Sequence, residues 1–145
     1  MPVNTIQLLE ENLREKLREK GISPTAQRVE IARLLFTRHE HLSADEVHQL
    51  VNKDLPAVSK ATVYNTLGLF VEHGLIRQVI ADPSRVYYDP NTAPHHHVYD
   101  VATGQLTDIC LEEVQVKGLP AMSPGVQLEG VDVIVRVRSE RPVSG

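Results

Sequence analysis

The sequence predicts an α+β chain, in which an N-terminal group of helices closed by a β-hairpin is followed by a small α/β domain. Three observations carry this. Apolar residues recur at spacings of three and four from Ile6 to Val71, they alternate singly from His95 onward, and the turn formers of "PNTAP" separate the two patterns.

Ile6, Leu9, Leu13 and Leu17, set among Glu, Arg and Lys, mark the first helix, which ends at Gly21. Ser23-Pro24 then reads as a second helix start, with Pro just inside, a buried face of Val29, Ile31, Ala32, Leu34 and Leu35, and an end near Arg38. Ser43, three residues before Glu46, forms a capping box that opens a third helix, because each side chain can satisfy a first-turn amide that has no helical partner. After "NKDLPAV", Ser59 opens a fourth, in which Ala61, Val63, Leu67, Phe70 and Val71 turn inward while Lys60, Thr62, Tyr64 and Asn65 lie nearer the outside. Gly74 stops it, and "LIRQVI", "ADPSR" and "VYYD" read as two strands around a tight turn. Helices followed by a hairpin are in winged helix-turn-helix order, and a plain helical hairpin in a small core fits the pattern equally well.

The expected organisation is a first domain over 1–89, a hinge over 90–94 and a second domain over 95–145. Strands are expected over 95–101, 105–109 and 126–138, with Val131, Val133, Val135 and Val137 on one face of the last, and "LEEVQVKG" as a short helix. With 145 residues, 41% apolar and 23% charged, the chain can form two small cores only if something adds stability, such as a metal or an oligomer interface.

The opening "MPVNTIQLLEENLREKLREK" carries charges every few residues and has no apolar signal-peptide core. No window approaches the roughly 20 apolar residues that span a bilayer, so a cytoplasmic protein with no membrane partner is expected. The net charge of −4 argues against a non-specific nucleic-acid coat. Residues 1–80 nevertheless hold ten Lys/Arg against ten Asp/Glu, and a neutral half can carry a basic face; residues 81–145 hold five against nine. Cys110 stands alone, which rules out an internal disulfide and a multi-cysteine structural zinc site within one chain; it reads as a small buried hydrophobe at a strand end.

The chemistry gathers around "HHH". On a strand, His95 and His97 point to one side about 7 Å apart while His96 faces away, so the outer two can converge on one ion. Most such pairs are merely solvent-facing or hydrogen-bonded. Asp89, Asp108 and His41 add weight, since three imidazoles and two carboxylates suit Fe(II) or Mn(II), or zinc as an in vitro competitor, better than a thiolate zinc centre.

At these residues the chain resembles a known family. "GISPTAQRVEIARLL", "HLSADEV", "SKATVYNTLGLFVEHGLI" and "HHHVYDVATGQLTDI", in this order over roughly residues 5–138, are similar to the ferric uptake regulators: dimeric, metal-dependent repressors with a winged-helix DNA-binding domain and a small α/β dimerisation domain. The resemblance implies a regulatory metal site on His41, Asp89, His95, His97 and Asp108, one ion tying the two domains together. It also implies a structural zinc held by a CxxC where this chain reads "DVAT" and by a second cysteine pair nearer the C-terminus. Both pairs are missing here, so no structural zinc is expected.

Asn65 after Tyr64, and aspartates rather than glutamates at 89 and 108, point to the peroxide-sensing branch. There an Fe(II)-bound site is oxidised by peroxide; His41 and His95 are the histidines implied to gain oxygen, after which the metal leaves and the dimer releases its DNA. A haem- or iron-responsive regulator is the alternative, with His95-His96-His97 as a haem contact, and a non-haem metalloenzyme a more distant one, since five protein ligands leave little room for substrate. The expected DNA target is an AT-rich palindrome. Tyr64, Asn65, Thr62 and Lys60 are the expected contacts on the recognition helix, with Arg28, Arg14, Lys16 and Arg18 as candidates for phosphate or minor-groove contact; a solvated face with Glu partners explains Arg14 to Arg18 as well.

Overall fold

The structure is a computed structural model that describes residues 5–38, 41–54 and 58–140. Among the described residues it is a mixed α+β chain of four helices, α1 (Thr5–Glu19), α2 (Ala26–Thr37), α3 (Ala44–Asp54) and α4 (Lys60–Glu72), followed by five strands. The chain divides into two compact units, Met1–Thr92 and Ala93–Gly145. Among the described residues no helix is long and apolar enough to cross a membrane.

Local chemistry sets the helix ends. α1 and α4 both stop in a Schellman turn: Ile22 N–H donates to Leu17 O and Gly21 N–H to Arg18 O, and likewise Leu75 N–H to Phe70 O and Gly74 N–H to Val71 O. Gly21 (φ 76°) and Gly74 (φ 75°) supply the left-handed residue each turn requires, and the next residues, Ile22 and Leu75, enter the core. The capping box of α3 is reciprocal: Ser43 N–H donates to Glu46 Oε1 at 3.1 Å, and Glu46 N–H to Ser43 Oγ at 3.3 Å. Ser59 caps α4 through Thr62 N–H at 3.0 Å.

The start of α2 departs from the expectation at Ser23-Pro24. Thr25 is the N-cap, its Oγ1 accepting the Arg28 amide at 3.3 Å, and Pro24 lies before the helix. A threonine hydroxyl placed to satisfy a first-turn amide outweighs the preference for proline at the first helical position.

The core of the first unit is built from Leu13 and Leu17 of α1, the predicted face of α2, Val47 and Val51 of α3, and Val63, Leu67 and Phe70 of α4. Burying each large apolar side chain contributes about 1.5–3 kcal/mol. Two expected members stay outside, Leu9 and Ala61, while Thr66 takes the inward position one turn above Val63. The Ile6 side chain and residues 55–57 of the "NKDLPAV" loop lie outside the described residues.

After α4, β1 (Arg77–Asp82) and β2 (Arg85–Asp89) pair antiparallel around Pro83-Ser84, with an irregularity between Ile80 and Asp82. An isolated bridge, Tyr88 N–H to Leu42 O at 2.9 Å, pins β2 to the chain just before α3.

The second unit holds β3 (His96–Asp100), β4 (Leu106–Ile109) and β5 (Ile134–Val137) in the order β4-β3-β5, the first pair antiparallel and the second parallel. Three expectations fail here. The strand expected over 126–138 is regular only in β5, the helix expected at "LEEVQVKG" is a single 3-10 turn, Leu111–Glu113, and Cys110 is exposed, not buried. The physical reason is shared. Tyr99 and Leu106 are the buried apolar side chains of this unit among the described residues, whereas Val135 (38%), Val137 (42%), Leu119, Met122 and Leu128 are exposed, so the chain over 110–133 has no core of its own to set a periodic structure.

Candidate functional site

Each unit assembles an imidazole–carboxylate group from its own backbone register. In the first, the Leu42–Tyr88 bridge places the preceding residue, His41, opposite the following one, Asp89, and His41 Nε2 lies 3.6 Å from Asp89 Oδ2. Asp89 Oδ1 accepts the Asn91 amide at 2.9 Å, which orients the carboxylate with Oδ2 toward the imidazole, and the Asp89 side chain is buried.

In the second unit, the β3–β4 register pairs His97 with Asp108. His95 precedes β3, and its ring meets that of His97 edge-on with centroids 4.4 Å apart. Both Nε2 atoms face one oxygen, Asp108 Oδ1, at 3.2 Å from His95 and 3.4 Å from His97. His95 Nδ1 lies 2.7 Å from the Ala93 carbonyl. A carbonyl only accepts, so Nδ1 carries a proton and Nε2 is the nitrogen turned to the carboxylate. A carboxylate oxygen shared by two imidazole nitrogens calls for a cation between them, a proton or a metal ion. This donor set, imidazole nitrogen and carboxylate oxygen without sulfur, fits a borderline or hard divalent ion.

His96, expected to face away from His95 and His97, is engaged elsewhere. Its ring is buried, and its Nδ1 accepts the Val133 amide at 3.1 Å, while the next residue, His97, donates its own amide to Val133 O at 3.1 Å. The middle histidine thus fastens β3 to the approach of β5, and all three histidines of the tract are buried. Sequence alternation had no means of showing this, because β3 is covered on both sides.

On the first unit, α4 presents Lys60, Tyr64 and Asn65 exposed and Thr62 half-buried. Thr62 and Asn65 line a groove of about 380 Å³ with Arg28, Gln27 and Thr25 of the α2 start. Arg28 donates to Ser23 O at 2.9 Å, so its guanidinium is held at that edge. Arg14 pairs with Glu10 and also donates to Pro24 O at 3.2 Å, Arg18 pairs with Glu15 on the exposed face, and Lys16 lies over the Phe36 ring, 4.4 Å from its centroid. A second groove, about 570 Å³, runs past Tyr64, Asp45, Gln78 and Arg85. Gln27, Asp45 and Arg85 were not singled out from the sequence; their signal is spatial, set by helix starts and the hairpin converging on α4.

A nitrogen–oxygen donor set in a chain that also carries a helix exposing polar side chains is the equipment of a metal-responsive transcription regulator, and comparison with known proteins agrees. The Ferric uptake regulator family matches residues 19–135, and the chain belongs to that family. It is 36% identical over 106 residues to the peroxide-responsive repressor PerR of Staphylococcus aureus, covering 71% of this chain and 72% of that protein. Its fold is similar to the ferric uptake regulator of Pseudomonas aeruginosa with manganese (TM-score 0.64, 23% identity, 88% and 98% of the two chains). It is equally similar to that of Francisella tularensis with iron (TM-score 0.65, 23% identity, 83% and 93%). Members of the family are dimeric, DNA-binding, metal-binding transcription regulators and not enzymes.

Proposed function

We propose that the protein is a peroxide-responsive repressor: a homodimer that binds an AT-rich palindromic operator when one Fe(II) or Mn(II) ion is held by His41, Asp89, His95, His97 and Asp108, and that leaves the operator when the site is oxidised. The observation that carries this reading is the convergence of the His95 and His97 Nε2 atoms on Asp108 Oδ1, with His95 Nδ1 turned to the Ala93 carbonyl. The identity to peroxide-responsive repressors supports the signal.

Bound Fe(II) would supply the reduction of hydrogen peroxide beside its own ligands. The chain contributes oxidisable rings: His41 or His95 gains one oxygen on a ring carbon, peroxide is reduced to water, and the altered imidazole is a poorer donor, so that metal affinity and operator affinity fall together. The exposed, polar start of α4 in the winged-helix unit supports Tyr64 and Asn65 as base-edge contacts, Asn suited to adenine and Tyr to a thymine methyl, with Thr62, Lys60 and Arg28 beside them. The engagement of His96 with Val133 favours this reading over haem contact through the histidine tract.

The test is operator binding by Fe(II)- and Mn(II)-loaded protein before and after peroxide, with peptide mass spectrometry. Loss of binding with Fe(II) alone, and one added oxygen atom on the His41 or His95 peptide, are expected; unmodified peptides after complete loss of binding would refute the sensing mechanism.

A further inference from the structure

One carboxylate joins the first turns of α3 and α4. Lys60 Nζ lies 2.8 Å from Asp45 Oδ1, and Tyr64, one turn along α4, lines the same groove as Asp45. The Lys60 ammonium holds the Asp45 carboxyl below its usual range, and Asp45 in turn raises Lys60 above its own, so both are charged at neutral pH. Both are nonetheless open to water, their side chains 58% and 59% exposed. An ion pair this exposed adds little to fold stability, since water screens it and two long side chains must be ordered to form it. Its effect is to bias Lys60 toward one orientation before any ligand arrives, which lowers the entropy lost when it makes contact.

We propose that Asp45 is a positioning residue for DNA recognition, its carboxylate holding Lys60 beside Tyr64 in the orientation that reads base edges, so that it raises discrimination between operator and other DNA more than raw affinity. The inference rests on α4 being the reading helix. Asp45 also puts a negative charge near the phosphates, which opposes every sequence alike. Removing it therefore has two effects that can be separated: non-operator affinity rises as repulsion is relieved, and operator affinity gains less or falls as Lys60 loses its order. Asp45→Asn removes the charge but keeps an acceptor for Lys60.

The experiment uses the full chain loaded with Mn(II), an operator duplex selected by the wild-type protein from a random-sequence pool, and a scrambled duplex, read by fluorescence anisotropy. For Asp45→Ala the operator-to-scrambled affinity ratio is expected to fall by about 10-fold, the discrimination of one base contact, with Asp45→Asn recovering part of it. An unchanged ratio overturns the proposal, whether both affinities rise together, as plain repulsion dictates, or neither moves. Failure of the wild type to select any duplex, or operator affinity untouched by Tyr64→Ala and Lys60→Ala, rejects α4 as the reading helix and the proposal with it.

Discussion

Asp100 and Ser139 lie 39 residues apart and meet through two hydrogen bonds: Asp100 Oδ1 accepts the Ser139 amide at 3.2 Å, and Oδ2 accepts its hydroxyl. The same carboxylate accepts the Ala102 amide at 2.9 Å and the Thr103 amide at 3.4 Å, so one side chain fastens the β3–β4 turn to the segment after β5. This is the "DVAT" turn at which the family resemblance implies zinc-binding cysteines; here a carboxylate does the joining.

The Ser139 hydroxyl, and after it the backbone amides of Ala102, Ser139 and Thr103, hold the Asp100 carboxyl below its usual value of 3.8. The unfolded chain takes up this proton more readily than the folded one, so stability rises with pH across the interval between the two values. The contribution is complete above 3.8 and is lost as pH falls through the lowered folded value. Asp100→Ala is expected to unfold at lower denaturant than wild type at pH 7, and the gap should close in strong acid; a gap constant with pH would assign the effect to packing.

Asp108→Ala removes the oxygen on which His95 and His97 converge. Mn(II) affinity, measured by calorimetric titration, should fall by at least about 10-fold, while helix content stays unchanged. His97→Ala should do the same.

His96→Leu keeps an apolar volume but withdraws the acceptor of the Val133 amide. Leaving a buried donor unsatisfied costs about 1–3 kcal/mol, so chemical denaturation should show a loss of that size, with Mn(II) binding reduced far less than by Asp108→Ala. Equal losses of metal affinity in the two variants would make His96 a ligand.

Ser59→Ala deletes the cap of α4. A cost of about 1 kcal/mol in unfolding free energy is expected, and operator binding should weaken as the first turn, which carries Lys60 and Thr62, frays.

Where chemistry is local, the sequence was readable. Ser43 with Glu46, Ser59, Gly21 and Gly74 each declare a helix end through their own side chain or backbone freedom, and the buried face of α2 follows from its spacing alone. Alternation also set His95 and His97 on one side, as their adjacent rings show. What escaped depends on contacts distant in sequence. His96 is joined to Val133 from 37 residues away, Asp100 to Ser139 from 39, and Asp45 to Lys60 of another helix. Over 110–133 the spacing of apolar residues misleads for another reason: they are exposed, so no core sets a periodic structure there.

Val135 and Val137 lie on an edge strand and are more than a third exposed, with Leu119, Met122 and Leu128 nearby in sequence and likewise uncovered. In the proposed homodimer a second copy covers this face, and the folded fraction of the second unit then rises with protein concentration by mass action.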